Sequence, residues 1–322
     1  MDRSCLVSIG ILCYNSEETF ARGILSALDQ DWEALEVIVI DDASTDGSWK
    51  EIERCAESDA RIRARRLSRN LGIGGARNEV IDEAKGEFVC FFDDDDDSLP
   101  SRIRSQVHRI QEVEGELNTR LIACYAAART IYANGYEFVR PAIGSSKEYP
   151  HGIIAVDWLL RNKKVDGVCY GAGTPASSLL ARKEVFSTCE GFDPELRRVE
   201  DTDFAIRLAK LGGWFVGTKE VLLNRNMTMG SDKSALVEHE NIVRLIKNHE
   251  ELFQSSREFR AALLWEEVRF GHFSNDHLHT LRSGLKMAVI SPGKAIAKMA
   301  GPVAKRLVHE TRMNRSRGRK FS

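Results

Sequence analysis

The first 115 residues alternate between short apolar runs and segments in which apolar residues recur every three or four positions. The apolar runs at 6–12, 36–40 and 87–92 predict buried strands, and the segment 61–67 predicts a weaker one. The periodic segments between them predict helices. Because nearly continuous apolar strands that alternate with helices are typical of a parallel sheet covered on both faces, the sequence predicts an α/β fold.

Polar clusters follow three of these predicted strands at the point where each strand ends. They are Tyr14-Asn15, Asp41-Asp42 and the run Asp93–Asp97. The carboxyl ends of parallel strands lie along one edge of a sheet, and ligands of α/β proteins bind beyond that edge. We therefore expect the three clusters to meet and to form one site.

The segment EFVCFFDDDDDSLP places five consecutive carboxylates, Asp93–Asp97, directly after an apolar strand. Adjacent like charges repel, so such a run needs a cation or hydrogen-bond donors. Mg²⁺ and Mn²⁺ prefer oxygen ligands, and Mg²⁺ commonly takes one or two carboxylates plus substrate phosphates. The alternative is a solvated acidic loop that caps the next helix. We interpret Asp93 and Asp95 as functional because the strand fixes them, and Asp97 with Ser98 as serving the helix.

Two further motifs carry carboxylates with a chemical use. In IVIDDASTDGS, Asp42 lies at the mouth of the sheet, where it can accept hydrogen bonds from an N–H edge such as that of uracil, and Asp46 is expected to cap the next helix. In VEDTDF, Asp201 lies near the start of a predicted helix, whose dipole keeps a carboxylate ionised for use as a general base. Alone, each motif is also compatible with a turn or with an acidic first helical turn.

The glycine-rich segment 70–78, NLGIGGARN, lacks the GxGxxG spacing and does not follow the first strand directly. We exclude a dinucleotide-binding fold on that ground. The glycines are expected to permit a tight loop, with Arg77 free to face a phosphate or an aspartate. The next helix is expected to stop at Gly86.

Beyond residue 120 the pattern loosens. Residues 120–180 predict short β-like pieces and one helix near 156–162, and the segment 200–213 predicts a further helix. After about residue 235 the chain predicts helices to near its end.

Charge and cysteine content exclude some classes of protein. The formal net charge of −2 excludes a globally basic nucleic-acid binder. None of the seven cysteines forms a CxxC pair, so we expect reduced thiols in a cytoplasmic protein. The apolar run at 6–12 is too short to span a membrane and no small-residue cleavage site follows it, so a signal peptide is not expected.

Four segments, taken together and in this order, resemble glycosyltransferase family 2, whose members have the GT-A fold. They are VSIGILCYNSEETF, EVIVIDDASTDGS, NLGIGGARNEVIDEAKGEFVCFFDDDDDSLP and SSLLARKEVFSTCEGFDPELRRVEDTDFAIRLAKLG, and they cover roughly residues 6–225. None is specific alone, but the combination is. The resemblance implies a Rossmann-like, mostly parallel central sheet flanked by helices, to which the sequence adds a helical C-terminal extension.

The resemblance also implies roles for individual residues. The expected nucleotide-binding residues are Tyr14, Asn15, Glu17, Asp42, Arg77, Asp93 and Asp94. The family pattern Asp-x-Asp-Asp-x-x-x-Pro, anchored on Pro100, makes Asp95 the expected direct ligand of a divalent metal, Mn²⁺ or Mg²⁺, with Asp93 beside it and Asp96 in support. Glu200 falls on the acceptor side, and Asp201 is the expected general base.

The sequence departs from the family pattern in three places. Asp94 stands where a small residue is usual, segment 224–232 offers no histidine to a metal, and the Gln-x-x-Arg-Trp motif of processive polymerases is absent. The resemblance thus implies a non-processive, inverting, metal-dependent transfer of a sugar from a nucleotide-diphosphate sugar, with UDP-sugars favoured. The expected acceptor is a hydroxyl group in glycan, glycolipid or polysaccharide synthesis.

Two other functions are weighed against this transfer. A non-catalytic nucleotide-sugar binder or membrane-peripheral assembly component stays open. A nucleotidyltransferase is disfavoured, because the segment after the first strand, CYNSEE, is acidic and has no glycine.

We expect residues 1–115 to form the nucleotide-sugar-binding half of the main domain, 116–232 its acceptor-binding half, and 233–322 a helical extension with a basic tail. Residues 291–322 carry nine Lys or Arg against one acidic residue. An apolar helical face is expected there, formed by Ile296, Met299, Val303 and Leu307. This tail either lies on the anionic cytoplasmic face of a membrane, which suits a lipid-linked acceptor, or packs on the domain.

Overall fold

The computed structural model describes residues 5–132, 135–226 and 234–293. Within these residues nine strands form one sheet. They are β1 (Val7–Cys13), β2 (Leu35–Asp41), β3 (Ile62–Arg66), β4 (Phe88–Phe92), β5 (Asp97–Ser98), β6 (Ile122–Ile131), β7 (Glu137–Arg140), β8 (Leu179–Arg182) and β9 (Trp214–Asn226). The strand order is β3-β2-β1-β4-β8-β6-β9-β5, with β7 paired to β6.

Ten α-helices accompany the sheet in the described residues. They are α1 (Phe20–Leu28), α2 (Ser48–Ser58), α3 (Gly72–Glu83), α4 (Arg102–Leu117), α5 (Gly152–Arg161), α6 (Lys183–Thr188), α7 (Glu200–Lys210), α8 (Ala235–Asn248), α9 (Ser256–Phe273) and α10 (His277–Ile290). The predicted alternation of strands and helices over the first 115 residues is confirmed, as is the helical character after residue 235 within the described part.

The first half of the sheet is parallel because helices α1, α2 and α3 return the chain to the same edge each time. β1 pairs in parallel with β2 and with β4, and β2 with β3. Every residue of β2 and of β4 is buried. Such strands must bury both faces under helices, and this accounts for their near-continuous apolar runs.

The second half makes the sheet mixed. β8 lies between β4 and β6 and runs antiparallel to both, whereas β6 and β9 pair in parallel. The sequence did not predict β9, whose burial pattern is broken by the exposed pair Lys219 and Glu220 and whose pairing with β6 contains register shifts. The predicted α/β class with a mostly parallel sheet is confirmed.

Two local predictions were wrong. Asp97 and Ser98 do not cap the next helix: they form β5, which pairs with β9, and Ser101 precedes α4 without a side-chain cap bond. The backbone groups of this short segment are satisfied by β9 instead. Helix α3 ends at Glu83, three residues before Gly86. Gly86 instead lies against β1, where a Cβ would come within 2.6 Å of Ser8 Oγ.

The chain divides into two compact units, residues 1–131 with 137–227 and residues 132–136 with 228–322. In the second unit α10 packs on α9 through Gly271, where a Cβ would lie 2.6 Å from Thr280 Oγ1. The opposite side of α10 carries four exposed apolar residues at helical spacing: Leu278, Leu281, Leu285 and Val289. The apolar face predicted over 296–307 lies outside the described residues. None of the described helices combines the length and apolar character that crossing a bilayer requires.

Candidate active site

The loops that follow β1 and β2 are tied together by side chains of the predicted nucleotide-binding set. Asn15 adopts a left-handed conformation (φ 52°), and its Oδ1 accepts a hydrogen bond from the Thr45 backbone N–H at 2.8 Å. Glu17 Oε2 accepts from the Gly47 N–H at 3.2 Å, at the start of α2. The Tyr14 side chain is left 45% exposed beside them. The exposed Tyr14 ring is therefore accessible to a ligand. The loops after β1 and β2 beside it are already held together by these hydrogen bonds.

Asp46 belongs to the same loop pair. Its carboxylate accepts from the backbone N–H of Ser48, the first residue of α2, at 3.0 Å and from that of Glu17 at 3.3 Å. Asp46 precedes Gly47, the N-cap residue of α2, and its bond to Ser48 satisfies the first backbone N–H of the helix from outside the cap position.

Asp42 lies at the end of β2 and is almost fully buried. Its Oδ1 accepts from the Leu71 N–H at 2.6 Å and its Oδ2 from the Gly72 N–H at 2.9 Å, immediately before and at the start of α3. Burial raises the pKa of Asp42, and the two backbone donors oppose that shift. Its carboxylate thus orders the glycine-rich loop, and its contact with a nucleotide base stays a prediction.

The aspartate loop, which we define as Asp93–Asp97, follows β4. One carboxylate oxygen from each of Asp93, Asp95 and Asp96 lies within 4.8 Å of the other two. Burial raises the pKa of Asp96 to about 7, and the nearby Asp93 carboxylate adds to the shift while Arg225 opposes it. Three carboxylates held this close without a cation repel one another, so the cluster favours a positively charged ligand.

Asp94 does not belong to this cluster of three. Its carboxyl group interacts with the Ser16 hydroxyl in the loop after β1. Burial raises the pKa of Asp94 to about 6, and the Ser16 hydrogen bond opposes that shift. The structure therefore groups Asp93 with Asp95 and Asp96, and places Asp94 beside the Tyr14-Asn15 loop.

The aspartate loop is held from two sides. Asn226, the last residue of β9, donates from its backbone N–H to Asp96 Oδ1 at 2.9 Å, and from Nδ2 to the Asp95 carbonyl at 3.0 Å and to Asp97 Oδ2 at 3.1 Å. On the other side, Arg22 of α1 donates to the Asp95 carbonyl at 3.3 Å. These contacts fix the loop backbone and leave the Asp93 and Asp95 carboxylates partly exposed.

The donor set fits a hard divalent cation. The three carboxylates supply only oxygen ligands, which Mg²⁺ and Mn²⁺ prefer, and the partial exposure of Asp93 and Asp95 leaves room for water or phosphate oxygens. Across the described ranges, this is the one group of three such side chains close enough to share an ion.

The pair Glu200-Asp201 opens α7. Arg77 of α3 donates to Glu200 Oε1, and the two side chains are 5% and 6% exposed. The Arg77 guanidinium also lies against the rings of Phe91 and Phe192, 5.6 and 5.3 Å from their centroids. Arg77 is thus directed into the interior toward Glu200, and the contacts predicted for both residues with substrates stay predictions.

Asp201 is half-buried beside this pair. Its Oδ1 accepts from the Thr202 N–H at 2.7 Å. The backbone N–H of Ala176 is also close enough to the carboxylate to favour its ionised form. Burial raises the pKa of Asp201, and the positive charge of Arg77 opposes that shift. A carboxylate with a raised pKa binds a proton more tightly, which suits a general base.

Several residues that shape the site were missed from the sequence. Arg22 lies in a helix identified only by its apolar face, and Asn226 lies in a segment noted only for lacking histidine. Buried Arg102 and Gln106 lie beneath the aspartate loop on α4. Two polar residues four positions apart among the apolar residues of that helix were the available signal.

Comparisons with known proteins agree with this geometry. A family model described as Glycosyl transferase family 2 matches residues 8–145. UDP-Glc:alpha-D-GlcNAc-diphosphoundecaprenol beta-1,3-glucosyltransferase WfaP of Escherichia coli is 38% identical over 103 residues. These residues are 32% of this chain and 40% of WfaP, so the match spans less than half of that relative's length.

Two solved structures share the fold at low sequence identity. Residues 1–349 of S. aureus TarS, in complex with UDP-GlcNAc, align with a TM-score of 0.61 at 16% identity, covering 91% of this chain and 83% of the other. Mannosyltransferase PcManGT from Pyrobaculum calidifontis, in complex with GDP-Man and Mn²⁺, aligns with a TM-score of 0.55 at 16% identity, covering 95% and 81%.

Proposed function

We propose that this chain, which belongs to glycosyltransferase family 2 over residues 8–145, transfers a sugar from a nucleotide-diphosphate sugar to a hydroxyl group of a saccharide or lipid-linked saccharide. The observation that carries the proposal is the aspartate loop, whose three clustered carboxylates follow β4 at the same sheet edge as the segments after β1 and β2. In this proposal residues 1–115 bind the donor, 116–232 bind the acceptor, and 233–322 form a helical extension.

Asp93, Asp95 and Asp96 would hold the divalent metal, Mg²⁺ or Mn²⁺. When bound, this cation supplies positive charge that offsets the charge developing on the leaving diphosphate. The aspartate loop would orient the donor, with Asp93 and Asp94 toward the ribose and Tyr14, Asn15, Glu17 and Asp42 around the base. Support comes from the all-oxygen donor set and from the Mn²⁺ and GDP-Man bound to PcManGT.

Asp201 would act as the general base. It would take the proton from the acceptor hydroxyl while that oxygen attacks the anomeric carbon from the face opposite the diphosphate, and the bond to the diphosphate would break. One attack from the opposite face inverts the anomeric configuration. Its half-buried position and raised pKa support this role, with Glu200 and Arg77 setting the local charge.

We favour a UDP-sugar as the donor. The supporting observations are the UDP-Glc named for WfaP and the UDP-GlcNAc bound to TarS, while the GDP-Man of PcManGT marks the competing nucleotide class. The acceptor proposed from WfaP is a lipid-linked saccharide of the diphosphoundecaprenol kind.

A lipid-linked acceptor implies work at a membrane surface, so we propose a cytoplasmic protein with peripheral membrane contact. The exposed apolar side of α10 supports the contact. Leu281 and Leu285 are 60% and 61% exposed, Arg282 and Lys286 lie beside them, and α10 contains no acidic residue. Apolar residues flanked by basic ones are typical of helices that lie on anionic membranes.

Thermal shift and calorimetric titration test the donor site. A panel of UDP- and GDP-sugars with and without Mn²⁺ is expected to raise the melting temperature only for the correct donor and only with metal, because a ligand that binds the native state alone stabilises it. Asp95→Asn should abolish the metal-dependent shift, while Asp82→Asn, on an exposed position of α3, should keep it. Equal shifts with and without metal in the wild type would refute the metal site.

The alternative, a non-catalytic binder of nucleotide sugars, shares the donor site and differs in turnover. Release of free nucleotide diphosphate in the presence of Mn²⁺ separates the two, since a binder releases none.

A further inference from the structure

Arg102 is buried completely beneath the aspartate loop and bonds to a residue on each side of it. Its Nη2 donates to the Phe91 carbonyl at 3.1 Å, just before the loop, and its Nη1 donates to Ser98 Oγ at 2.7 Å, just after it. The guanidinium also lies 4.3 Å from the centroid of the Phe92 ring. One rigid side chain therefore fixes the distance between the two ends of the loop.

Gln106, one helical turn further along α4 and equally buried, continues the connection. Its Oε1 accepts from Arg102 Nε at 3.0 Å. Its Nε2 donates to the Cys124 carbonyl of β6 and to the Ser178 carbonyl, each at 2.9 Å. The Gln106 amide thus forms three hydrogen bonds. One is with Arg102, which contacts the residues around the aspartate loop, and two are with the backbone carbonyls of Cys124 and Ser178.

Ser178 closes a short 3₁₀ turn, Ala176–Ser178, in which all three residues are buried. The backbone N–H of Ala176, the first residue of this turn, is close enough to the Asp201 carboxylate to oppose the rise in its pKa. Hydrogen bonds therefore connect the residues around the aspartate loop, through Arg102 and Gln106, to the short turn that borders Asp201.

The partners of Arg102 are a carbonyl, a hydroxyl and an amide oxygen, and within the described residues no carboxylate forms an ion pair with it. Its hydrogen bonds thus go to neutral groups, while the nearby Asp93 and Asp96 carboxylates favour its positive charge without bonding to it. Burying a guanidinium that forms no ion pair is still costly, and apolar side chains of similar volume commonly fill such space at no loss of stability. Stability alone therefore accounts poorly for this pair. A role in setting geometry accounts for it better.

We propose that Arg102 and Gln106 are positioning residues that hold the proposed metal loop and the proposed base in register across the sheet. The inference rests on the proposed function. Arg102 contacts the residues around the aspartate loop, and Gln106 contacts the turn that borders Asp201. We therefore expect Arg102 to affect metal binding and Gln106 to affect catalysis. Groups that orient metal-binding residues commonly change metal affinity or activity 10- to 100-fold when replaced.

The test compares Arg102→Lys with Gln106→Met by calorimetric Mn²⁺ and nucleotide-diphosphate binding, kcat, and the pH profile of kcat. Arg102→Lys keeps the charge but loses the two-ended fork, and it should weaken Mn²⁺ binding about tenfold. Gln106→Met keeps the size but loses both donors and the acceptor of Arg102 Nε, while the two Arg102 bonds on either side of the aspartate loop remain. It should lower kcat about tenfold, shift the pH profile, and leave the Mn²⁺ Kd within about twofold of the wild-type value.

Two matched controls lie on the exposed side of α4: Arg104→Lys and Gln111→Met. Both should retain wild-type binding, kcat and pH profile. Ser98→Ala removes one Arg102 acceptor without adding a group, so it keeps the test decisive if Arg102→Lys does not fold, and it should weaken Mn²⁺ binding in the same direction.

Three outcomes are distinguishable. The inference is supported if Arg102→Lys weakens Mn²⁺ binding while Gln106→Met lowers kcat and leaves Mn²⁺ binding nearly unchanged. Wild-type values in both variants, or losses explained wholly by a smaller folded fraction, overturn it while leaving the proposed function intact. A wild-type protein that neither binds Mn²⁺ with nucleotide nor turns over the donor overturns the proposed function itself.

Discussion

The Arg77 guanidinium and the Glu200 carboxylate form an ion pair in the interior, with 5% and 6% of the two side chains exposed. The pair joins α3, which connects the parallel strands β3 and β4, to Glu200, the first residue of α7. Asp201 is the second residue of α7. Burial raises the pKa of Glu200, and the charge of Arg77 is the main opposing influence. The ionisation of Glu200 and Asp201 therefore depends on the charge of Arg77, which comes from a helix distant in sequence.

Arg77→Met tests this dependence. It leaves the Glu200 carboxylate buried without its partner, so we expect a loss of about 3–5 kcal/mol in the free energy of unfolding. Denaturant unfolding monitored in the sheet-containing unit measures the loss. The double variant Arg77→Met/Glu200→Gln should recover part of it, because the uncompensated charge is gone. If Arg77→Met is as stable as the wild type, leaving Glu200 without its partner does not lower the free energy of unfolding, which would contradict the prediction.

Gly23 of α1 determines how closely the aspartate loop approaches that helix. A Cβ at this position would lie 2.9 Å from both the Asp93 carbonyl oxygen and Asp94 Cα, which are backbone atoms that cannot rotate away. We expect Gly23→Ala to displace the loop and weaken Mn²⁺ binding by about tenfold, measured calorimetrically. Gly115→Ala on α4 is the control, because a Cβ there meets nothing within 4 Å and should leave binding unchanged. Equal metal affinity in both variants would contradict this view of α1.

Glu266 on α9 predicts a pH dependence in the C-terminal helices. Burial raises the pKa of Glu266 to about 7, with Arg269 opposing and Glu238 and Glu267 adding to the shift. The folded state then binds this proton more tightly than the unfolded state, so its stabilising contribution is present below the unfolded pKa near 4.5 and is lost as the pH rises through about 7.

Hydrogen exchange of α8 and α9 between pH 5 and pH 8 measures this effect. Protection, corrected for intrinsic exchange, should fall with rising pH in the wild type. Glu266→Gln should flatten the dependence, since its amide cannot ionise. An unchanged slope in Glu266→Gln would assign the dependence to groups other than Glu266.

The exposed apolar side of α10 predicts membrane binding. Leu281→Asn/Leu285→Asn should reduce co-sedimentation with vesicles that contain anionic lipid, because both the buried apolar area and the helix contact are lost. Leu211→Asn, at an exposed leucine of the sheet-containing unit, should not. Equal sedimentation of all three proteins would remove α10 from the membrane contact, and a change in oligomeric mass would instead assign the surface to a second copy of the chain.

The parts of the fold predicted from sequence are those with a local signal. β1, β2 and β4 are runs of buried residues, and their length and flanking turns identify them without knowledge of their neighbours. β9 has no such signal, because exposed Lys219 and Glu220 interrupt it and only its pairing with β6 makes it a strand.

The site shows the same division. The strand before Asp93 indicated where the carboxylates would lie, but their sorting depends on partners distant in sequence. Asn226, which holds Asp96, is 130 residues away, and Glu200, which pairs with Arg77, is 123 residues away. No local pattern relates such positions, so the prediction that Arg77 is free to face a phosphate could not anticipate its interior partner.

Asp201→Asn tests whether Asp201 is the general base of an inverting sugar transfer. The measurement is product formation from the donor that gives the thermal shift, with Mn²⁺ and a lipid-linked or simple saccharide acceptor, followed by NMR assignment of the new glycosidic linkage. We expect the wild type to invert the anomeric configuration, and Asp201→Asn to lose at least about 100-fold in kcat while keeping metal-dependent donor binding. Full activity in Asp201→Asn, or a wild-type product with retained configuration, would contradict this expectation.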